Sequence, residues 1–316
     1  MGDTSERDAT IRRLIRWAAP QDAVRALLLT STRAVPGAAV DALSDYDVIL
    51  VARDIRPFAA ERDWVADFGA VLVDHWNPIR PDPATGIAVA GNVVQYAEGP
   101  KIDFTLWPVA LLAQLACAPA LPDELDGGYR ILLDKDGTAA RLRPPTYRAH
   151  IPAKPAAEEY QALVREFFND APYVAKYLWR GELLPAKWCL DHNMKHSYLR
   201  RMLEWRMERD HGWAVPVRTL GKGLERRLPA DLRTRLAATY AGGGVAENWA
   251  ALFLTLALFR DLALAVAADL GYRYPLDLDE RVTAYVRGIH ARERDDAADG
   301  WPAPWPGPRQ GRSTPP

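Results

Sequence analysis

The stretch LLLTSTRAVPGAAVDALSDYDVILV, residues 27–51, decides the fold. An apolar run, Ala26 to Thr30, ends in the small hydroxyl residues Ser31 and Thr32. A loop with Pro36 and Gly37 follows, and Tyr46 to Ala52 (YDVILVA) then reads as a buried strand. Asp45 and Asp47 flank Tyr46 at the start of that strand. Alternation along a strand sends residues i and i+2 to the same face, so the two carboxylates point the same way. Like charges side by side repel unless a cation lies between them. A hard divalent ion such as Mg2+, which prefers oxygen ligands and substrate phosphates, suits such a pair. A third carboxylate, Asp103, stands between Ile102 and Phe104 in KIDFTLWP, where an unpaired charge would be costly. A metal or an arginine is expected to satisfy it, with Arg33 as the structural alternative. Three carboxylates on neighbouring strands can hold a two-metal site for phosphoryl or nucleotidyl transfer. A bare Asp-x-Asp pair is more often a solvated turn, so the reading rests on the combination.

Outward from this stretch, the first half alternates helices and strands. Thr10 to Trp17 and Asp63 to Phe68 read as helical, and Ala70 to Asp74 as a strand. Val93 to Tyr96 and Ile102 to Leu106 read as a hairpin turning at Glu98–Pro100. A helix, Val109 to Leu115, and a strand, Tyr129 to Leu133, complete the unit. Residues 141–155 hold four prolines and read as a linker. Beyond it, Ala157–Tyr177, Gly181–Arg206, Ala230–Tyr240, Glu247–Leu270 and Leu278–Arg292 carry apolar residues at helical spacing. The expected fold class is therefore α+β: a mixed-sheet domain over 1–140, a linker over 141–155, a helical-bundle domain over 156–294 and a disordered Pro-rich tail over 295–316.

Composition sets limits on partners. The 316 residues carry a formal net charge of −1, with 49% hydrophobic and 26% charged residues. Neither half is basic enough to grip nucleic acid by charge alone. Two cysteines, Cys117 and Cys189, allow one bridge and no zinc cluster. Met1 to Ile11 lacks the apolar core of a signal peptide, and Arg260 and Asp261 interrupt the most apolar stretch. A reduced, soluble, cytoplasmic protein is expected, with no nucleic-acid or membrane partner.

Several segments together carry a resemblance. They are TSTR (Thr30 to Arg33), SDYDVILV (Ser44 to Val51), DWVADFG (Asp63 to Gly69), KIDFTLWP (Lys101 to Pro108) and ILLDKDG (Ile131 to Gly137). YVAKYL (Tyr173 to Leu178), LRRMLEW (Leu199 to Trp205), LGKGLERRLP (Leu220 to Pro229) and LGYRYP (Leu270 to Pro275) continue the series. In this order and spacing the chain resembles the aminoglycoside 6-adenylyltransferases, the streptomycin-modifying nucleotidyltransferases. The resemblance implies a nucleotidyltransferase-type domain, a helical domain, and an active site in the cleft between them. It implies transfer of AMP from ATP to a drug hydroxyl, with Asp45, Asp47 and Asp103 at the Mg2+ ions and Asp103 as metal ligand or general base. It implies nucleotide contacts from Ser31, Thr32 and Arg33 in the turn, and from Arg201, Lys222 and Tyr240 in the helical half. The family turn carries Gly-Ser where this chain has Ser31-Thr32, so the residue that lets backbone approach phosphate and takes unusual φ is replaced.

The acceptor is a polycation, so its pocket should be acidic. Asp191 in WCLDHNM is the first candidate, and Glu182 the next. Asp191 could equally be a helix-surface charge paired with Lys187 or Lys195 at i−4 and i+4. Other readings at this level are a nucleotidyltransferase with another acceptor (another antibiotic, a protein or RNA) and a degenerate nucleotide-binding homologue. The oligomeric state has no signature in the sequence.

Overall fold

A computed structural model describes residues 8–217 and 219–292. The chain divides between Ile151 and Pro152 into two compact units. The first is a mixed sheet with helices on both faces, and the second is helical, which makes the fold α+β.

In the first unit α1 (Ala9–Ala18) precedes β1 (Val24–Thr30), a 3-10 turn (Ser31–Ala34) and β2 (Tyr46–Ala52). Then come α2 (Arg56–Ala60), a 3-10 turn (Asp63–Phe68), β3 (Val71–Pro81), β4 (Ala88–Tyr96) and β5 (Ile102–Pro108). Next are α3 (Val109–Ala116), α4 (Asp123–Asp126) and β6 (Tyr129–Asp134). The strand order is β3-β4-β5-β2-β1-β6, with β2 and β5 parallel and the other pairs antiparallel. Burial on both faces explains the near-continuous apolar runs of the central strands. Tyr46, Val48, Leu50 and Ala52 of β2 pack with Ile11 and Leu14 of α1 and with Phe58 and Phe68. Ile49 and Val51 face the other way, toward Trp107, Leu111, Leu115 and Leu125.

The expected Ala70–Asp74 strand is the start of a longer one. Strand β3 runs to Pro81 and pairs with β4 across a turn in which the Gly86 N–H donates to the Asp82 carbonyl. It is exposed along most of its length, so no period-2 pattern marks it in the sequence.

The second unit contains α5 (Ala157–Arg180), α6 (Leu183–Lys187), a π-helical stretch (Trp188–Leu199) and α7 (Arg200–Asp210). Two 3-10 turns (Thr219–Gly221 and Glu225–Arg227), α8 (Ala230–Ala238), α9 (Val245–Leu270) and α10 (Leu276–His290) follow. Gly181 ends α5 at φ +75°, a left-handed cap that glycine takes at little cost. Phe167 stacks on Phe259 at 3.6 Å between ring centroids, in a core with Tyr160, Trp205 and Leu262. Helix α9 is long and apolar enough to cross a membrane, but Leu252, Leu256, Phe259 and Val266 are buried in this core. The segment expected as one helix over Gly181–Arg206 instead changes its winding to π for twelve residues. Residues 141–155 are shared between units: Leu142 packs in the first core, and the Pro155 carbonyl accepts from the Tyr272 hydroxyl in the second. The tail expected over 295–316 lies outside the described residues.

Candidate active site

The parallel register of β2 and β5 sets Asp47 directly beside Asp103. Asp47 alternates with Tyr46 and Val48, and so it shares the sheet face of Ile49 and Val51. Asp103 shares the face of Trp107 by the same rule. Asp45 sits one residue ahead of β2. Lys101 stands one residue ahead of β5, and its carbonyl accepts the Tyr46 N–H.

Lys101 supplies the cation that Asp103 was expected to need. Its Nζ lies 2.8 Å from Asp103 Oδ2 and 3.0 Å from Asp45 Oδ2. Burial works against the ammonium, but hydrogen bonds to Asp103 and Asp45 hold its pKa above the usual lysine value. The other oxygen, Asp103 Oδ1, is buried and makes no hydrogen bond among the described residues. Burial, followed by the charge of Asp103, pushes the Asp47 carboxyl up, against a hydrogen bond from the Ser31 side chain and the charge of Lys101.

Arg33 does not reach Asp103. Its Nε donates to the carbonyls of Ser44 (3.3 Å) and Asp45 (3.0 Å), and its Nη2 donates to Ser44 (2.9 Å). The guanidinium lies 3.8 Å over the Tyr46 ring, with Asp8 at 3.6 Å. Arg33 thus clamps the end of the 35–45 loop and aims Asp45. In the turn itself, Ser31 takes φ +60° and Thr32 is half-buried.

One acid escaped the sequence reading. Glu124 of α4 is followed by Leu125, which is buried on the sheet face that Asp47 shares. Much of the Glu124 side chain is exposed, yet desolvation and the charges of Asp47 and Asp82 push its carboxyl up to about 7. Its only signal in the sequence was an acidic Pro-Asp-Glu-Leu-Asp segment, which also reads as a solvated turn.

In the helical unit, Asp191 is held between two lysines. Lys187 Nζ and Lys195 Nζ each lie 2.7 Å from its oxygens. Burial opposes the charge, but hydrogen bonds from Lys187 and Lys195 keep Asp191 below the usual carboxylate range. The Lys195 side chain is only 1% exposed, and its Nζ lies 4.6 Å from the centroid of the Tyr240 ring. Asp191, Lys195 and Tyr240 therefore form one network. Glu182 is half-buried at the N-terminus of α6, and its carboxylate makes no hydrogen bond or ion pair among the described residues. Arg201 pairs with Glu159 at 3.5 Å and Glu204 at 3.8 Å. Lys222 is exposed between Gly221 (φ +76°) and Gly223 (φ +80°).

Comparison with known proteins identifies the family. The family model for streptomycin adenylyltransferase matches residues 5–289. The chain belongs to the streptomycin adenylyltransferase family. An aminoglycoside 6-adenylyltransferase of Bacillus subtilis (strain 168) is 28% identical over 277 residues, covering 87% of this chain and 94% of that protein. One from Campylobacter jejuni is 26% identical over 278 residues, covering 86% and 92%. A crystal structure of an aminoglycoside 6-adenyltransferase from Bacillus subtilis aligns with TM-score 0.45 at 24% identity, over 92% of this chain and all of that one.

In this member of the streptomycin adenylyltransferase family, Ser31 occupies a backbone conformation that suits glycine. Left-handed φ costs a non-glycine residue about 1–2 kcal/mol. Ser31→Ala keeps the strain and loses the hydroxyl, whereas Ser31→Gly loses both. Ser31→Gly should therefore be the more stable of the two by about 1 kcal/mol in denaturant titrations. Equal stability would mean that the turn stores no strain.

Glu124 binds its proton more tightly folded than unfolded, so its stabilising contribution is lost as pH rises from the ordinary glutamate range through about 7. In EDTA, Glu124→Gln should raise Tm at pH 8 and leave it unchanged near pH 4.5. An equal shift at both pH values would remove the ionisation argument.

Asp191→Asn should cost about 1–3 kcal/mol, because Lys195 would lose its carboxylate. Unchanged stability in denaturant titrations would mean that the Lys187 and Lys195 pairs hold nothing together.

Proposed function

We propose that the protein transfers AMP from ATP to a hydroxyl of a streptomycin-like aminoglycoside, releasing pyrophosphate and so protecting its host from the drug. The observation that carries this reading is the side-by-side pair Asp47 and Asp103, with Asp103 Oδ1 unpartnered.

The donor set fits a divalent cation. Asp103 Oδ1 is a buried oxygen without a donor, Asp47 is a desolvated neighbour, and both are hard oxygen ligands. Among the described residues, no three His, Cys, Asp or Glu side chains converge in metal-holding geometry. Asp45 is turned to Lys101 and would join Asp47 and Asp103 on leaving it. When bound, Mg2+ would neutralise charge on the ATP phosphates and on the pyrophosphate leaving group.

The chain's own groups do the rest. The acceptor oxygen forms a bond to the α-phosphorus, and the bond from that phosphorus to the bridging oxygen of pyrophosphate breaks. The electron pair leaves with pyrophosphate. Asp103 Oδ1 is open either to the cation or to the proton of the acceptor hydroxyl. The Ser31–Thr32 turn offers backbone N–H groups and the Thr32 hydroxyl to phosphate. Arg33 acts through Asp45, by holding the chain that carries it. The resemblance assigns Lys222, Arg201 and Tyr240 of the helical unit to the nucleotide, and Lys222 is exposed between two glycines. Glu182 is the better acceptor-site acid, because both Asp191 oxygens are engaged. The need for ATP favours a cytoplasmic location.

Pyrophosphate release from ATP and Mg2+ should depend on added streptomycin. Release with a different acceptor alone would move the substrate class, and binding without release would overturn the reading. Asp47→Asn should cut turnover by about a hundredfold to a thousandfold or more. Its Tm in EDTA should match or exceed the parent's, since a repelled, desolvated charge is removed. Near-parental turnover would dismiss Asp47 from the reaction.

A further inference from the structure

Between Asp45 and Asp103 lies a single ammonium, that of Lys101. Lys101 is not an ordinary surface partner. It precedes β5 by one residue, as Asp45 precedes β2, and the parallel register Tyr46↔Ile102 and Asp47↔Asp103 sets the two rows side by side. Lys101 and Asp103 are two residues apart, so both leave the sheet on the face that Asp45 and Asp47 use. The ammonium is 2.8 Å from Asp103 Oδ2 and 3.0 Å from Asp45 Oδ2, and its side chain is 27% exposed. It touches two of the three carboxylates that the proposed reaction needs, and leaves Asp103 Oδ1 without a partner.

We propose that Lys101 is a resident counter-cation, whose ammonium occupies the place between Asp45 and Asp103 that a divalent ion must take, so that metal binding and the Lys101 ion pairs exclude each other. This rests on the reading of Asp45, Asp47 and Asp103 as a metal-binding set. Three carboxylates brought together by two strands repel one another, and the repulsion is worst where water is scarce. One ammonium held on the same sheet face neutralises part of that charge while the protein folds and waits for substrate. The arrangement has a consequence for affinity. A divalent ion must displace a charge-assisted ion pair, so metal alone binds weakly. Once displaced, Lys101 is an unpaired cation at a site that receives a polyphosphate, where it can pair with the incoming anion.

The test uses the full chain and Mn2+ alone, followed by electron paramagnetic resonance or calorimetry. Lys101→Met should bind Mn2+ about tenfold to a hundredfold more tightly than the parent, the factor expected for losing a competing charged hydrogen bond. It should also have a lower Tm in EDTA that recovers with Mn2+. Arg56→Gln makes the same change in net charge at an exposed site paired only with Asp54 among the described residues, and it should move Mn2+ affinity less than twofold. A measurement on the unaltered protein does not depend on the variant folding: Mg2+ alone should increase acylation of Lys101 by an amine reagent, read by mass spectrometry, at least about threefold. Tight Mn2+ binding by the parent, unchanged in Lys101→Met, would overturn the proposal and leave the metal set standing. Mn2+ binding by neither protein would overturn the metal set itself, and the proposal with it.

Discussion

The first unit depends on the parallel pairing of two buried strands that each begin with charge. Without the apolar runs Val48–Ala52 and Phe104–Trp107, nothing would hold Asp47 against Asp103. The interior of the sheet supplies the stabilisation, and its end gathers the charge. Each fully buried Leu, Ile or Val side chain contributes about 1.5–3 kcal/mol, so a sheet with two apolar faces can tolerate one repulsive row. The remaining features of the site follow from that tolerance: Lys101 between Asp45 and Asp103, the Ser31 hydroxyl on Asp47, and Arg33 holding the loop end against Tyr46.

The helical unit handles charge differently. Two of its ion clusters are closed networks. Asp279 takes Arg260, Tyr274 and Thr283 together, and Asp191 takes Lys187 and Lys195. A paired and hydrogen-bonded buried ion gives geometry to a helix packing, and removing one partner is costly. The open groups are elsewhere, at Glu182 and at Lys222 in its pair of glycines. That contrast separates the ion-paired Asp191 from Glu182 and Lys222, which have no side-chain partner among the described residues. The π winding from Trp188 to Leu199 belongs to the same region; such stretches are rare and are found often at functional sites.

Much of this was legible in the primary sequence. The β2 run, the Asp-x-Asp pair, Asp103 in an apolar strand and the periodicity of α5 and α9 are local patterns, each set by whether a residue meets water or core. The serine in place of glycine was equally visible, and its cost became definite with φ +60°. Exposed β3 was not legible beyond its first residues, because a strand wet along its length has no alternation to display. Glu124 was not legible either, since its carboxyl is shifted by desolvation in the folded chain and by Asp47 and Asp82 from other elements.

By itself, then, the sequence determined which segments are apolar on which period, where the acids stand, and what family of motifs they form. Only the tertiary structure decided who meets whom. It chose Lys101 over Arg33 as the cation beside Asp103, turned Arg33 to the Ser44 and Asp45 carbonyls, and enclosed Asp191 between Lys187 and Lys195. The reason is physical: burial periodicity is a property of neighbours in the chain. Partner choice, by contrast, depends on strand register and helix winding, where one residue of slip would move every side chain to another face.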